Sequence, residues 1–325
     1  MTRFLALIPG GIGEQFLCFP MLESLQKQYP KAQIDVVVEP RAKAAYRVSQ
    51  VVKQILVYNF GGRNGPADWG NLIGWIRERE YDALISLDHS WFNGMLLWLT
   101  GVPNRIGYAG QPVGVFLTQE VQRKPQQYAA EMFHDLLGGL LGGTSASPCP
   151  PLRINVPRKD IEWAEAELKR LELSPEQGYV LVHGGSLVDH QTKGQQSVYS
   201  VSNWQALVKG FQERQPELPV LLVQFPGDRP WFTPLVQKSP GLKLSTPEDF
   251  GKFAALVAGA NLMVCTDSEA MYLGVAVNTY LMVLFGSNDP SKVLPKSERF
   301  TVMRSQTGKA ADIAPIQVLE KVFGK

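Results

Sequence analysis

Residues 261–290, NLMVCTDSEAMYLGVAVNTYLMVLFGSNDP, read as strand, turn, helix, strand and turn. Leu262 to Thr266 is an apolar run too short for a helix and suited to a parallel strand buried on both faces. Asp267 and Ser268 end it, and Ser268 is a good N-cap for a helix over residues 269–277. Asn278 closes that helix. Residues 280–285 form the next strand, and Gly286-Ser287-Asn288-Asp289-Pro290 is a turn composition. A strand that runs directly into a helix points backbone N–H groups and the positive end of the helix dipole at the carboxyl edge of a parallel sheet. Anions bind there in open α/β folds. The same pattern also describes a plain βαβ unit without a ligand, so it argues for the fold class more strongly than for a function.

The rest of the chain repeats the alternation. Residues 4–8 are a first strand, followed by the glycine-rich turn Pro9-Gly10-Gly11-Ile12-Gly13-Glu14 and a helix over 14–28, kinked at Pro20. The glycines do not fall as G-x-G-x-x-G, and the turn lacks the Lys-Ser/Thr of a P-loop. Strands are expected at 33–38, 54–58, 83–87, 152–156, 179–182, 220–224 and 299–303. Helices are expected at 41–47, 68–79, 91–100, 126–141, 161–171, 203–214, 247–258 and 313–323. Strand and helix in alternation imply doubly wound parallel sheets, and 325 residues suit two domains. The boundary is expected in Pro157-Arg158-Lys159-Asp160, giving domains 1–157 and 158–325.

Composition removes several classes. Apolar residues make up 45% and charged residues 19% of the chain, as in a globular protein with an ample core. A net charge of +2 gives no bulk attraction to nucleic acid. Cys18, Cys149 and Cys265 are scattered, with no CxxC, and read as thiols in a reducing compartment. His183 and His190 lack the spacing of a helical metal site. No apolar run approaches the ~20 residues of a membrane span, and Pro9-Gly10-Gly11 stops the first run as a strand rather than a signal peptide. The expected location is cytoplasmic.

The 261–290 stretch resembles the donor-site signature of glycosyltransferase family 9, the heptosyltransferases: Asp-Ser/Thr-Gly-x-x-His, a small-residue helix, then a strand ending Phe-Gly. The matching residues are Asp267, Ser268, Gly274, Ala276, Leu284-Phe285-Gly286 and Asp289-Pro290. The run from Tyr81 to His89 and that from Leu96 to Tyr108, with Arg105-Ile106-Gly107, resemble the same family, and the likeness extends in order over nearly the whole chain. It implies a GT-B fold, two Rossmann-like doubly wound domains facing a central cleft, the first binding acceptor and the second a nucleotide sugar. It also implies a terminal helix, 313–323, that crosses back to the first domain.

The implied reaction is inverting, metal-independent transfer of a sugar from an ADP-activated donor, heptose by resemblance, onto a lipopolysaccharide-type or other glycan acceptor. By the same resemblance Glu14 takes the place of the general base. Gly184, Gly185, Ser186, Lys193, Asp267, Ser268, Glu269, Tyr272 and Gly286 line the donor site. Gly11, Gly13, Asp88, His89 and Arg105 meet the acceptor. The implied partners are a nucleotide sugar and a glycan or glycolipid, with at most peripheral contact at the inner face of the inner membrane. No metal or other cofactor is expected.

Bland readings stand beside these roles. Glu14 is also a good first-turn helix acid, Arg105 a structural partner of carbonyls, and Lys193 an ordinary loop lysine. Three residues depart from the family pattern: Glu14 replaces Asp, Glu269 replaces Gly and Tyr272 replaces His. A carboxylate ~4 Å from a phosphate charge costs about 4 kcal/mol at an effective dielectric near 20, so Glu269 either points away or shifts the donor's pose. The alternative function is a catalytically degenerate GT-B protein that binds a nucleotide, glycan or protein partner without transfer. A dinucleotide-dependent oxidoreductase ranks behind both.

Overall fold

The computed structural model describes residues 2–324 except 63, 89, 111–112, 143–146, 175, 186–197 and 226–228, and excepting the side chains of 229–231. It divides into two compact units, Met1–Arg153 and Ile154–Lys325. The division falls a few residues before the proline-bearing segment where composition placed it.

Among the described residues the first unit carries six strands: β1 (Arg3–Ile8), β2 (Gln33–Val38), β3 (Val52–Val57), β4 (Ala83–Ser86), β5 (Asn104–Tyr108) and β6 (Gln119–Val121). The second carries β7 (Val180–His183), β8 (Val220–Val223), β9 (Lys243–Ser245), β10 (Leu262–Thr266), β11 (Leu281–Phe285) and β12 (Phe300–Arg304). All pairings are parallel, in the orders β3-β2-β1-β4-β5-β6 and β12-β11-β10-β7-β8-β9. Each chain path therefore winds outward in one direction, returns to the middle and winds the other way. The reversal lies between β1 and β4 in one sheet and between β7 and β10 in the other.

The central strands are apolar and buried along nearly their whole length, β1 from Phe4 to Ile8 and β11 throughout, as expected of strands covered by helices on both faces. One core of the first unit gathers Leu5, Leu7, Val37, Leu84, Ile76 and Leu97. One of the second gathers Val182, Trp204, Phe211, Leu222, Met282 and Val318. The C-terminal helix Pro315–Phe323 lies against the Val201–Arg214 helix. Phe323 packs at a tilt against Phe211 and Leu319 lies over Gly210.

Three expectations meet a different local structure. Residues 126–141 form two short helices, Ala129–His134 and Leu137–Leu140, instead of one; glycines are poor at sustaining a helix, and the second piece is half glycine. Residues 152–156 form no strand, since prolines flank them and a ladder needs donors that proline lacks. Residues Pro40–Val48 adopt the tighter 3-10 form. Asn278 closes its helix as read, with a left-handed φ of 59°.

Candidate active site

In the second unit, the reversal point of the sheet brings together two strand ends. β10 leads through Asp267 and Ser268 into the helix Glu269–Ala276, and β7 leads into Gly184-Gly185. Ligands of open α/β sheets bind at such a reversal, outside the carboxyl ends of the strands. Asp267 is buried, accepts a hydrogen bond from the Asn288 amide and donates its own N–H to the Leu284 carbonyl. Its place is thereby tied to the turn after β11, which contains the buried Gly286.

Ser268 sits in the extended N-cap conformation, φ −141° and ψ 175°, yet its side chain caps nothing. Its hydroxyl is fully buried and has no hydrogen-bond partner among the described residues. Two further buried polar atoms are in the same condition in this unit: the indole nitrogen of Trp204 and the amide oxygen of Gln224, which directly follows β8. Buried polar groups without partners are rare. Gly184 has no room for a side chain, because a Cβ there would lie 2.6 Å from the Phe232 ring and 3.0 Å from the Trp204 nitrogen. Gly185 has φ +87°, a conformation that glycine adopts without strain. Both glycines are thus required by the local geometry.

Glu269 is half-buried in the first turn of its helix and Tyr272 is buried one turn on. Ser186 and Lys193, expected beside the donor, lie outside the described residues. His183 was not singled out for chemistry. It is buried, its Nδ1 lies 2.9 Å from the Val223 carbonyl, and the rings of Phe225 and Phe253 pack against it.

In the first unit the turn after β1 shows the same economy. Gly10 has φ +105°, and a Cβ on it would meet the Glu14 side chain at 3.0 Å. The Glu14 carboxylate folds back so that Oε2 accepts the Gly11 N–H at 2.8 Å, closing a capping box on the helix α1 (Ile12–Gln28). The residue is exposed, and Oε1 carries no hydrogen bond among the described residues. Gly13 lies in the first turn of α1.

Two neighbours of this turn escaped the sequence reading. Gln15 is fully buried; its amide donates to the carbonyls of Ile8 and Gly11, and its oxygen accepts from the Tyr46 hydroxyl at 2.8 Å. Arg41 is exposed, with its guanidinium carbon 4.0 Å from where a Cβ on Gly11 would stand. Gln15 was detectable as a polar residue inside an apolar helix stretch, whereas Arg41 had no signal of its own.

Asp88 follows β4, next to β1 across the reversal, but its carboxylate is engaged locally. One oxygen accepts the Ser90 N–H at 2.7 Å and the other the Asn93 amide, at the head of the helix α3 (Trp91–Leu99). His89 lies outside the described residues. Arg105 stands near the start of β5, at the amino edge of the sheet, and its guanidinium donates to the carbonyls of Phe116 and Val102. The structure brings together Gly11, Gly13 and Glu14, and separately Gly184, Gly185, Asp267, Ser268 and Glu269; Arg105 joins neither group.

Thiol chemistry is unsuited to these sites. Burial pushes the Cys149 thiol up to about 12 and raises Cys18 and Cys265 as well, so thiolates are scarce at neutral pH. Among the described residues, no three His, Cys, Asp or Glu side chains gather as they would around a metal ion.

The comparisons extend over the same architecture. A photosynthetic NDH subunit of subcomplex B 1, chloroplastic, from Arabidopsis thaliana is 25% identical over 96% of this chain and 71% of its own length. A glycosyl transferase family 9 structure from Veillonella parvula superposes with a TM-score of 0.82 at 19% identity, covering 99% of this chain and 96% of the other. The E. coli ADP-heptose lps heptosyltransferase II gives 0.79 at 19% identity, covering 99% and 98%. The fold is thus of the GT-B type, and residues 69–322 match the family described as glycosyltransferase family 9 (heptosyltransferase); the chain belongs to that family.

Proposed function

We propose that this protein is an inverting, metal-independent glycosyltransferase that moves a heptose-type sugar from an ADP-activated donor to a hydroxyl of a lipopolysaccharide-type or other glycan acceptor. The observation that carries the reading is the Ser268 hydroxyl, fully buried and without a partner among the described residues at the N-terminus of the 269–276 helix. An unmatched hydroxyl beside the positive end of a helix suits the oxygens of a diphosphate. The ADP preference is taken from the donor in the name of the E. coli heptosyltransferase.

In this mechanism the free Oε1 of Glu14 takes the proton of the acceptor hydroxyl. The resulting oxygen attacks the anomeric carbon from the face opposite the phosphate. The sugar–phosphate bond breaks, and ADP leaves with the electron pair. The 269–276 helix and Lys193 stabilise the departing diphosphate, while Asp267, held by Asn288, keeps the turn in place. The expected setting is the cytoplasm, beside the inner face of the inner membrane where a glycolipid acceptor would be met.

A second reading has specific support: a family member that binds a nucleotide or partner without transfer. Glu14 already serves as a capping acid, Glu269 occupies the glycine slot, and the Arabidopsis relative is named as a subunit of an NDH complex. Calorimetric titration with ADP, UDP and GDP, with and without Mg²⁺, followed by a test for ADP release from ADP-heptose, separates the two. Metal-independent ADP binding with turnover that is lost in Glu14→Gln is the expected result. Binding without turnover selects the second reading, and binding of none of the three nucleotides removes the donor site.

A further inference from the structure

Residues 58–69, YNFGGRNGPADW, leave β3 and enter the helix α2 (Pro66–Glu78) at the carboxyl edge of the first sheet. They gather aromatic rings. Tyr58 and Phe60 meet edge to face at 5.2 Å, and Trp69 meets Phe92, in the first turn of α3, at 4.6 Å. All four belong to or pack against the core on this face of the sheet, yet Phe60, Trp69 and Phe92 are each partly exposed. A Cβ on Gly61 would meet nothing within 4 Å, so the space beside Phe60 is open.

Two polar atoms lie among these rings. Tyr58 is 7% exposed, and its hydroxyl and the Trp69 indole nitrogen are both buried with no hydrogen-bond partner among the described residues. They are neighbours. Burial and then the Asp68 carboxylate raise the Tyr58 phenol above its ordinary value, and the Trp69 N–H opposes them. Asp68 caps α2, one carboxylate oxygen accepting the Gly65 N–H at 2.8 Å; the other carries no hydrogen bond among the described residues. Core packing alone would be better served by phenylalanine at position 58, since an unpaired buried hydroxyl costs stability.

We propose that these residues form a sugar-binding subsite that takes a neutral pyranose ring of a glycan. The C–H bonds on the apolar face of a pyranose carry slight positive charge and rest on the negative face of an aromatic ring. A sugar hydroxyl both donates and accepts, so one such group can accept from the Trp69 N–H and donate to the Tyr58 oxygen. A second donates to the open oxygen of Asp68. The rings that cover the polar pair are themselves partly exposed, and a small turn of one admits the hydroxyl. Other occupants fit less well. A wholly apolar ligand would leave both polar atoms unpaired, and an anionic ring or a phosphate would face the Asp68 carboxylate. In the order β3-β2-β1, β3 stands two strands from β1, roughly 10 Å. The ring held here is therefore a neighbour of the sugar that meets Glu14. That neighbour relation rests on the proposed reaction, whereas the subsite itself holds equally for a glycan binder without transfer.

The test uses the full chain, without nucleotide, in saturation-transfer NMR with the methyl pyranosides of glucose, galactose and mannose and with their uronic acids. Transfer from the protein's aromatic protons to one face of at least one neutral ring is expected, with its uronic acid bound several-fold more weakly at low salt. This reading requires no variant to fold. Affinity should fall about tenfold in Trp69→Ala and about fivefold in Tyr58→Phe, while the urea midpoint of Tyr58→Phe stays level or rises. Glu14→Gln should bind as the wild type does. No transfer to any of the three neutral rings, equal binding by Trp69→Ala, or uronic acids bound as tightly as the neutral rings would each overturn the proposal. Pyranoside binding without turnover of ADP-heptose would support the subsite and count against the transfer reading alone.

Discussion

A hydroxyl with no partner is a liability in an empty protein and an asset once a ligand arrives. Among the described residues Ser268 is such a group. Replacing a polar group that makes no hydrogen bond removes a desolvation cost without removing a contact, so the change is neutral or stabilising. Ser268→Ala should therefore leave the urea midpoint of the nucleotide-free protein unchanged or raise it, while ADP affinity drops about tenfold, the worth of one hydrogen bond to a charged group. A lowered midpoint with unaltered affinity would make Ser268 a structural residue. Neighbouring Gly184 behaves oppositely, since any side chain there strikes Phe232 and Trp204. At this scale the site was partly legible. Asp267 and Ser268 announce themselves as a strand end and an N-cap. Gln15 and Arg41 do not, because what they do is decided by partners brought close only by the sheet: Tyr46 for the one, Gly11 for the other.

Among the elements, the pairing of α1 with the Ala129–His134 helix carries a histidine that responds to pH. His134 is buried, and its Nε2 lies 2.9 Å from the Ser24 hydroxyl. Burial holds its pKa below the ordinary 6.5, and the Asp135 carboxylate opposes that only in part. The unfolded chain thus binds the proton more readily than the folded one. The contribution is fully present above about pH 6.5 and is lost as the pH falls below it, toward the lower folded value. Urea midpoints should rise between pH 5.5 and 7.5 in the wild type, and His134→Gln should flatten that rise. A slope unchanged in the variant would assign the pH response to other groups. The strands were the most legible elements. Residues 33–38 and 262–266 were read to the residue, because each is short, rich in valine and other apolar residues, and bounded by turn or polar residues, which favours a strand over a helix. The 126–141 segment misled because its apolar periodicity is helical while its glycines interrupt the helix, and periodicity records only the first of these facts.

For the molecule as a whole, two units with separate sheets and cores should not melt as one. Scanning calorimetry is expected to give more than one transition, with the van't Hoff enthalpy below the calorimetric one. If the second unit holds the nucleotide, ADP at about 100 times its dissociation constant should stabilise one transition by about 2.7 kcal/mol and leave the other in place. A single transition, or an equal shift of both, would show the units to be coupled in stability. The doubly wound order of each sheet was legible as a class from the alternation of elements. The strand orders and the reversal points were not, because sequence spacing does not say on which side of β1 the fourth strand will land.

The C-terminal helix also governs the order in which the chain can fold as it is made. Leu319 fills the space over Gly210, and Val318 belongs to the core of the second unit. The first unit has all its residues once Arg153 has left the ribosome and can close then. The second must wait with the apolar side of its 201–214 helix uncovered until residues 315–323 emerge, more than 160 residues after the first unit is complete. At 5–20 residues per second that is roughly ten to thirty seconds. The second unit is thus the one exposed to aggregation while its last helix is awaited.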